Sequence, residues 1–489
     1  MEWGKYRLYS MVVMVCFVFF GPRAYHSAIF NNLEPVTSDY IQLSISKHFN
    51  INLGTKQNAM IFSTIISLFN IGQFIGSIAS AWLSDRYGRK NTLTLICSTL
   101  SALSGITCLV AFFATDVILL AVSRLLTGIR AGIATSVATT YVMEYSPIYL
   151  RGILGSSIEF GACVYAILAV LLTLPNILGT AETWIYLIAI DIILAALGYV
   201  LFFLLRETPQ YLLLIKKDQE AAEKSAEFVW DCKESVKAFL TILQEMQAKE
   251  TKKGESGAFG KNMLLKYRKV LFMSCLLGAT PFACSFNAVS SYSTPILMKA
   301  GFDQYRASLY TAIKGGFELV CGLAATYVVH VIPRRMLLLT TGTFTAVATS
   351  GMAGLLIANS YFPHNYLVDA VGTLTFVITG ACVMSFYPLL VILPAELSSI
   401  EARSIAVSLS YSVLSALRII TSFGAWPLYL EIGGYIFFIF LAAMLLILLC
   451  LHFLLHETHP DFIRPRPPSV RRISQNLAEL DVATLALHF

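Results

Sequence analysis

Charge is scarce in this chain. Only 13% of its 489 residues are Asp, Glu, Lys or Arg and 56% are hydrophobic, whereas soluble domains carry about 25% charged residues. A soluble globular class is therefore excluded. No G-x-x-x-x-G-K-S/T loop occurs, so nothing supports an ATP-driven pump. The ten cysteines show no metal-ligand spacing and imply no disulfide framework. Most of them (Cys16, Cys97, Cys163, Cys321, Cys382, Cys450) fall inside apolar runs, where they act as small hydrophobes. No nucleophile constellation, metal set or cofactor fingerprint appears, so an enzyme has no support and no cofactor is expected. The opening segment to about Phe30 lacks a small-residue cleavage site and reads as a first span, not a signal peptide. The 31–57 loop has no N-x-S/T sequon.

What the chain has is long apolar runs. About twelve are long enough to cross the hydrocarbon core as helices. They lie near 9–30, 59–83, 92–114, 117–142, 153–174, 182–205, 268–297, 306–331, 336–358, 366–394, 404–428 and 432–455. Short loops carrying Arg86, Arg89, Lys90, Arg151, Arg334, Arg335 and Arg403 alternate with loops nearly free of Lys and Arg. The positive-inside rule puts the basic loops and both termini in the cytoplasm; a multi-pass protein of the plasma membrane is the expectation. The net charge of +6 reflects this topology, and no nucleic-acid partner is needed.

The chain also repeats itself. Glu144-Tyr-Ser-Pro-Ile-Tyr-Leu-Arg151 and Glu396-Leu-Ser-Ser-Ile-Glu-Ala-Arg403 share E-x-S-x-I-x-x-R at an offset of 252 residues (396 − 144). Arg206-Glu-Thr-Pro209 returns as His456-Glu-Thr-His459, and Asp85-Arg-Tyr-Gly-Arg-Lys90 returns, eroded, as Pro333-Arg-Arg335. Two parallel halves in a membrane chain point to a transporter with a pseudo-two-fold axis along the membrane normal. The expected units are an N-terminal six-helix bundle (1–206), a cytoplasmic helical linker (207–263), a C-terminal six-helix bundle (264–456) and a cytoplasmic tail (457–489). In the linker, 221–228 and 236–246 have helical apolar spacing. The tail carries Arg471-Arg472-Ile473-Ser474, which reads either as a basophilic kinase site or as a basic segment on anionic lipid.

These blocks resemble those of the sugar porter branch of the major facilitator superfamily. Asp85-Arg-Tyr-Gly-Arg-Lys90 is similar to the family's D-R-x-G-R-R loop. Arg124-x-x-x-Gly128-x-x-x-Gly132 resembles its fourth-span motif, and Tyr141 through Gly152 its Y-x-x-E-x-A-P-x-x-x-R-G block. Glu207-Thr-Pro209, Asn287 through Ile296, and Pro394-Ala-Glu396 resemble three further blocks in order. The resemblance implies an all-α fold of two six-helix bundles that moves a small polar solute by alternating access, as a uniporter or with protons. Charges at helix ends can hold the bundles shut on one side; Asp85, Arg89, Glu144, Arg151, Glu207, Glu396, Arg403 and Glu457 are the expected cytoplasmic gate. The other reading of these charges is a solvated set that only fixes topology. The second copy lacks an acidic residue near Pro333, which leaves Glu396 and Glu457 as the partners expected for Arg403.

Ionisable residues inside spans are functional candidates because burying charge in lipid is costly. By the resemblance, His26 stands where symporters carry a proton-coupling aspartate, Arg124 matches that aspartate's arginine, and Glu159 replaces a sugar-binding glutamine. Two arrangements are open: a protonation-linked His26, Arg124 and Glu159 cluster, or a static Arg124–Glu159 ion pair beside a neutral His26. Expected substrate contacts are Glu159, Asn287, Tyr292 and Glu318. The family's other sugar contacts are lost: Pro281 and Phe282 replace glutamines, Glu318 an asparagine, Val391 a tryptophan, and Ser412-Val413 an Asn-Trp pair. Lys314 lies one turn before Glu318, and Arg418 is a second candidate partner for it. This set is either a structural ion pair or a charged cavity wall for a zwitterion, organic ion or polar solute. Arg23 is open to the same two readings, and its length also lets it snorkel outward. Gly72, Gly76, Gly128 and Gly132 are assigned to helix packing. Beside transport of a sugar-like solute or an organic ion stands a second class, a non-transporting solute sensor on the same fold.

Overall fold

The computed structural model describes residues 2–146, 150–173, 177–229, 236, 267–362, 364–398 and 402–455. The expectations for Glu457, Ser474 and most of the second linker helix lie outside these residues. Every regular element described is helical. That is the required outcome in hydrocarbon, where a backbone N–H or C=O has no water to bond.

Twelve helices are long and apolar enough to cross a membrane. In the first half they are span 1 (Tyr6–Phe30), span 2 (Met60–Tyr87), span 3 (Arg89–Ala114), span 4 (Val117–Tyr145), span 5 (Arg151–Leu172) and span 6 (Trp184–Leu204). In the second half they are span 7 (Arg268–Ala300), span 8 (Leu309–Val331), span 9 (Arg334–Tyr361), span 10 (Tyr366–Leu397), span 11 (Arg403–Ala425) and span 12 (Leu428–Leu454). Each lies within about four residues of an apolar run in the sequence. Between the halves, Thr208 caps a short helix, Pro209–Leu214, by accepting from the Tyr211 N–H. The amphipathic helix Gln219–Val229 follows and buries Ala222 and Ala226.

Spans 2 and 4 pack through their glycines. A Cβ on Gly72 would run into the Leu125 carbonyl, one on Gly76 into Ile129, one on Gly128 into Phe69 and one on Gly132 into Gln73. The four positions are a close-approach seam, as their spacing predicts. Five spans depart from regular α geometry; in span 12 a 3-10 turn runs over Gly433–Tyr435. Spans 1, 3 and 10 each contain a π-helical turn, at Cys16–Phe20, Thr92–Cys97 and Cys382–Phe386. Span 7 breaks between Ala283 and Phe286, where Ser285 takes a left-handed φ of 60°, and again at Tyr292. The halves meet chiefly where span 2 packs on span 11 and span 5 on span 8.

Candidate transport site and gate

Three polar clusters stand on this frame. The first is inside the N-terminal half. His26 Nε2 lies 2.9 Å from Asp191 Oδ1. Ser104 donates to Asp191 Oδ2 at 2.9 Å and Thr127 at 3.3 Å. His26 and Asp191 are both fully buried. Arg124 donates to the His26 carbonyl at 3.1 Å and stacks on Phe30 and Phe69. Arg130, one face away on span 4, donates to the Val18 carbonyl at 2.9 Å. That carbonyl sits in the π-helical turn of span 1, where unwinding bares backbone oxygens.

The second cluster lies between the halves. Arg23 Nη2 pairs with Glu159 Oε2 at 3.3 Å, and both side chains are buried. Arg23 also lies over the rings of Phe20 and Tyr387. From the second half, Arg418 Nη2 donates to Tyr387 Oη at 2.7 Å. Tyr387 stacks edge-on against Phe286, next to Asn287, which is buried with no partner for its Nδ2 among the described residues. Tyr292 donates to the Ser422 carbonyl at 2.6 Å. Lys314 and Glu318 form their i, i+4 pair at 3.9 Å.

This geometry corrects three expectations. Glu159 does not join Arg124, because Arg23 reaches it first from the adjoining span. Arg23 therefore does not snorkel outward. The carboxylate that faces His26 comes from span 6, not span 5. Asp191 went unassigned in the sequence although it is the lone charge in its span, which is the signal that marks intramembrane function. Arg418, the second candidate partner for Glu318, donates to Tyr387.

The third cluster seals the end of the molecule that carries the basic loops. Arg89 pairs with Asp85 at 3.1 Å and with Glu144 at 3.0 Å. Thr208 donates to the other Glu144 oxygen at 2.5 Å. Glu207 accepts from the backbone N–H groups of Arg89, Lys90 and Thr208. Burial pushes the Glu207 carboxyl above its usual range, and those N–H bonds partly oppose the shift. The seal then crosses between halves. Arg89 donates to Ser404 Oγ at 3.1 Å, Ser404 donates to Asp85 at 3.2 Å, and Arg403 donates to Gln210 at 2.8 Å. Deeper, Ser80 bonds Ser408 at 2.9 Å, Ser77 bonds Ser412 at 3.0 Å, and Asn70 donates to Ser422 at 2.9 Å. In the second half Arg334 makes a close ion pair with Glu396. Arg334, one residue past the eroded Pro333, is thus a partner of Glu396 that the sequence did not assign. Arg151 donates to the Ser146 carbonyl at 3.3 Å. The serines and Gln210 escaped the sequence reading because single hydroxyls and amides carry no local signal. Among the described residues no cluster of three or more His, Cys, Asp or Glu could hold a metal.

Comparison with known proteins follows from this geometry. The pattern of the "Sugar (and other) transporter" family matches residues 11–463. Facilitated glucose transporter member 5 of solute carrier family 2 from Homo sapiens is 29% identical over 406 residues, covering 82% of this chain and 79% of its own. Member 3 from Mus musculus is 26% identical over 450 residues, covering 89% and 87%. The major facilitator proton:xylose symporter XylE, bound to 6-bromo-6-deoxy-D-glucose, superposes with a TM-score of 0.79 at 18% identity, covering 92% of this chain and 96% of that one. At such identity the likeness speaks for the fold.

Proposed function

Because this chain belongs to the sugar (and other) transporter family of the major facilitator superfamily, we propose that it carries a sugar or sugar-like solute through the cluster between its halves. The protein is a multi-pass membrane transporter that works by alternating access. One observation carries the proposal furthest. The two halves are joined at the basic end by bonds that both bundles contribute, from Ser404–Asp85 to Ser80–Ser408, and Arg403 of the second half also reaches Gln210 of the linker helix. Such a seal is a two-state element. Its bonds exist in one orientation of the bundles and must break in the other. The basic loops support a cytoplasmic placement for this end and for both termini.

Proton coupling, if the cycle uses it, belongs to His26 and Asp191. They are in direct contact, in the bundle that also holds Arg124, and a histidine–carboxylate pair can share or release a proton. Glu159 is committed to Arg23 and is a substrate-side group. The non-transporting sensor loses its main support, since the Arg334–Glu396 pair supplies the second half of the seal.

The test is uptake of labelled hexoses into proteoliposomes, with and without an inward proton gradient. Saturable uptake is expected, faster with the gradient, and His26→Asn should abolish the acceleration. Uptake indifferent to the gradient, with His26→Asn unchanged, removes the coupling. Solute binding without uptake under any condition makes the protein a sensor.

A further inference from the structure

The charges between the halves do not balance. Arg23, Lys314 and Arg418 are cationic there; Glu159 and Glu318 are the carboxylates. Glu159 is taken by Arg23 at 3.3 Å and Glu318 by Lys314 at 3.9 Å. Among the described residues no carboxylate oxygen lies within 4.0 Å of Arg418. Its one hydrogen bond goes to a neutral phenol, Tyr387 Oη, and its buried Nη1 has no partner among those residues. Glu159 is close enough to feel the Arg418 charge, but it makes no contact with it and is held by Arg23. Asp191, the acid of span 6, is engaged by His26 and lies in a cluster with Arg124 and Arg130.

Placement gives the surplus its meaning. Arg23 belongs to span 1 and Arg418 to span 11, so the two guanidiniums come from opposite halves. They flank one side chain: Arg23 stands 5.9 Å from the centre of the Tyr387 ring, and Arg418 holds its hydroxyl. Two like charges carried by two rocking bodies repel in a low dielectric. An anion seated beside Tyr387 would remove that repulsion and tie the bodies together. Guanidinium is the side chain best shaped for this, because its parallel N–H groups match a carboxylate. The remaining unpartnered groups, Arg23 Nε, Glu159 Oε1 and Asn287 Nδ2, supply two donors and an acceptor for hydroxyls.

We propose that the central site takes a small polyhydroxy solute bearing one carboxylate, held by Arg418 with Arg23 behind Tyr387. The inference rests on the transport reading above and names its substrate class. It also accounts for the lost sugar contacts. An arginine fork on a carboxylate replaces several weaker neutral bonds.

The experiment compares D-glucose with D-glucuronate, which differs by a carboxylate in place of the terminal hydroxymethyl. The full chain is purified in detergent for ligand-induced thermal shift, and reconstituted for uptake under an imposed membrane potential. Glucuronate is expected to half-saturate at a concentration at least about tenfold lower than glucose, as a charge-assisted bidentate contact implies. Making the compartment it enters positive should raise its uptake relative to that of glucose, because it carries one more negative charge whether or not a proton accompanies it. Arg418→Gln should bring the two solutes to within about threefold of each other. The wild-type comparison stands by itself should that variant not fold. Glucose binding as tightly as glucuronate overturns the inference. If glucose is carried and glucuronate is not, transport stands and the anion class falls. If neither binds nor moves, the transport reading fails with it.

Discussion

At the scale of single residues, membrane burial makes each charge a commitment. Asp191 is fully buried and accepts from His26, Ser104 and Thr127. Removing one member of such a network strands the others. Asp191→Ala should cost about 3–5 kcal/mol of stability, while Asp191→Asn, which keeps the size and one acceptor, should cost less. Thermal unfolding in detergent separates the two variants. Much of this scale was open to view in the sequence. Every charge inside an apolar run is visible by inspection, and His26, Arg124, Glu159, Lys314 and Glu318 were found that way. The pairing was not. Arg23, Arg124 and Arg130 all compete for few carboxylates, and which one reaches Glu159 depends on how spans 1, 4 and 5 are rotated. No local pattern encodes that rotation.

Elements depart from regularity where the site needs it. Span 7 is interrupted immediately before Asn287, and the interruption turns on Ser285 at a φ of 60°. Left-handed backbone costs an L-residue about 1–2 kcal/mol. Ser285 offsets part of that by bonding the Cys284 carbonyl at 2.6 Å and lying 3.4 Å from Thr349. Ser285→Val loses the hydroxyl and adds a β-branch at positive φ. It should be less stable than Ser285→Gly by at least about 1–2 kcal/mol in the same unfolding assay. Span positions could be foreseen, because a run of about twenty apolar residues has few alternatives. The breaks could not. Pro281 hints at one, but nothing in Cys284-Ser-Phe286 marks a left-handed residue. The π-helical turns of spans 1, 3 and 10 lie in ordinary apolar sequence and follow from tertiary packing.

For the whole molecule, the duplicated E-x-S-x-I-x-x-R phrase announced two halves, and the structure has six spans on either side of the polar segment. The phrase did not announce how they meet. The contact between spans 2 and 11 is written in serines, which read as filler in a linear sequence. A direct check is to lock that contact. Ser80 and Ser408 place their hydroxyl oxygens 2.9 Å apart, so Ser80→Cys with Ser408→Cys should cross-link under mild oxidation. Uptake of whichever solute the binding screen identifies should stop on oxidation and return with reductant. The unmodified chain should be indifferent to both treatments. Continued uptake by the cross-linked protein would mean that this end need not open.

The make-up of the seal sets how the transporter answers its surroundings. At the rim the ion pairs lie within each half, and the bonds that cross join a charged group to a neutral one, Arg89 and Asp85 to Ser404 and Arg403 to Gln210, so added salt acts chiefly at the partly exposed Asp85. Further in they are serine to serine, each worth about 0.5–1.5 kcal/mol and blind to both salt and acidity. Ionic strength should therefore loosen only the Asp85 contacts at the mouth of the closed form while leaving its throat shut.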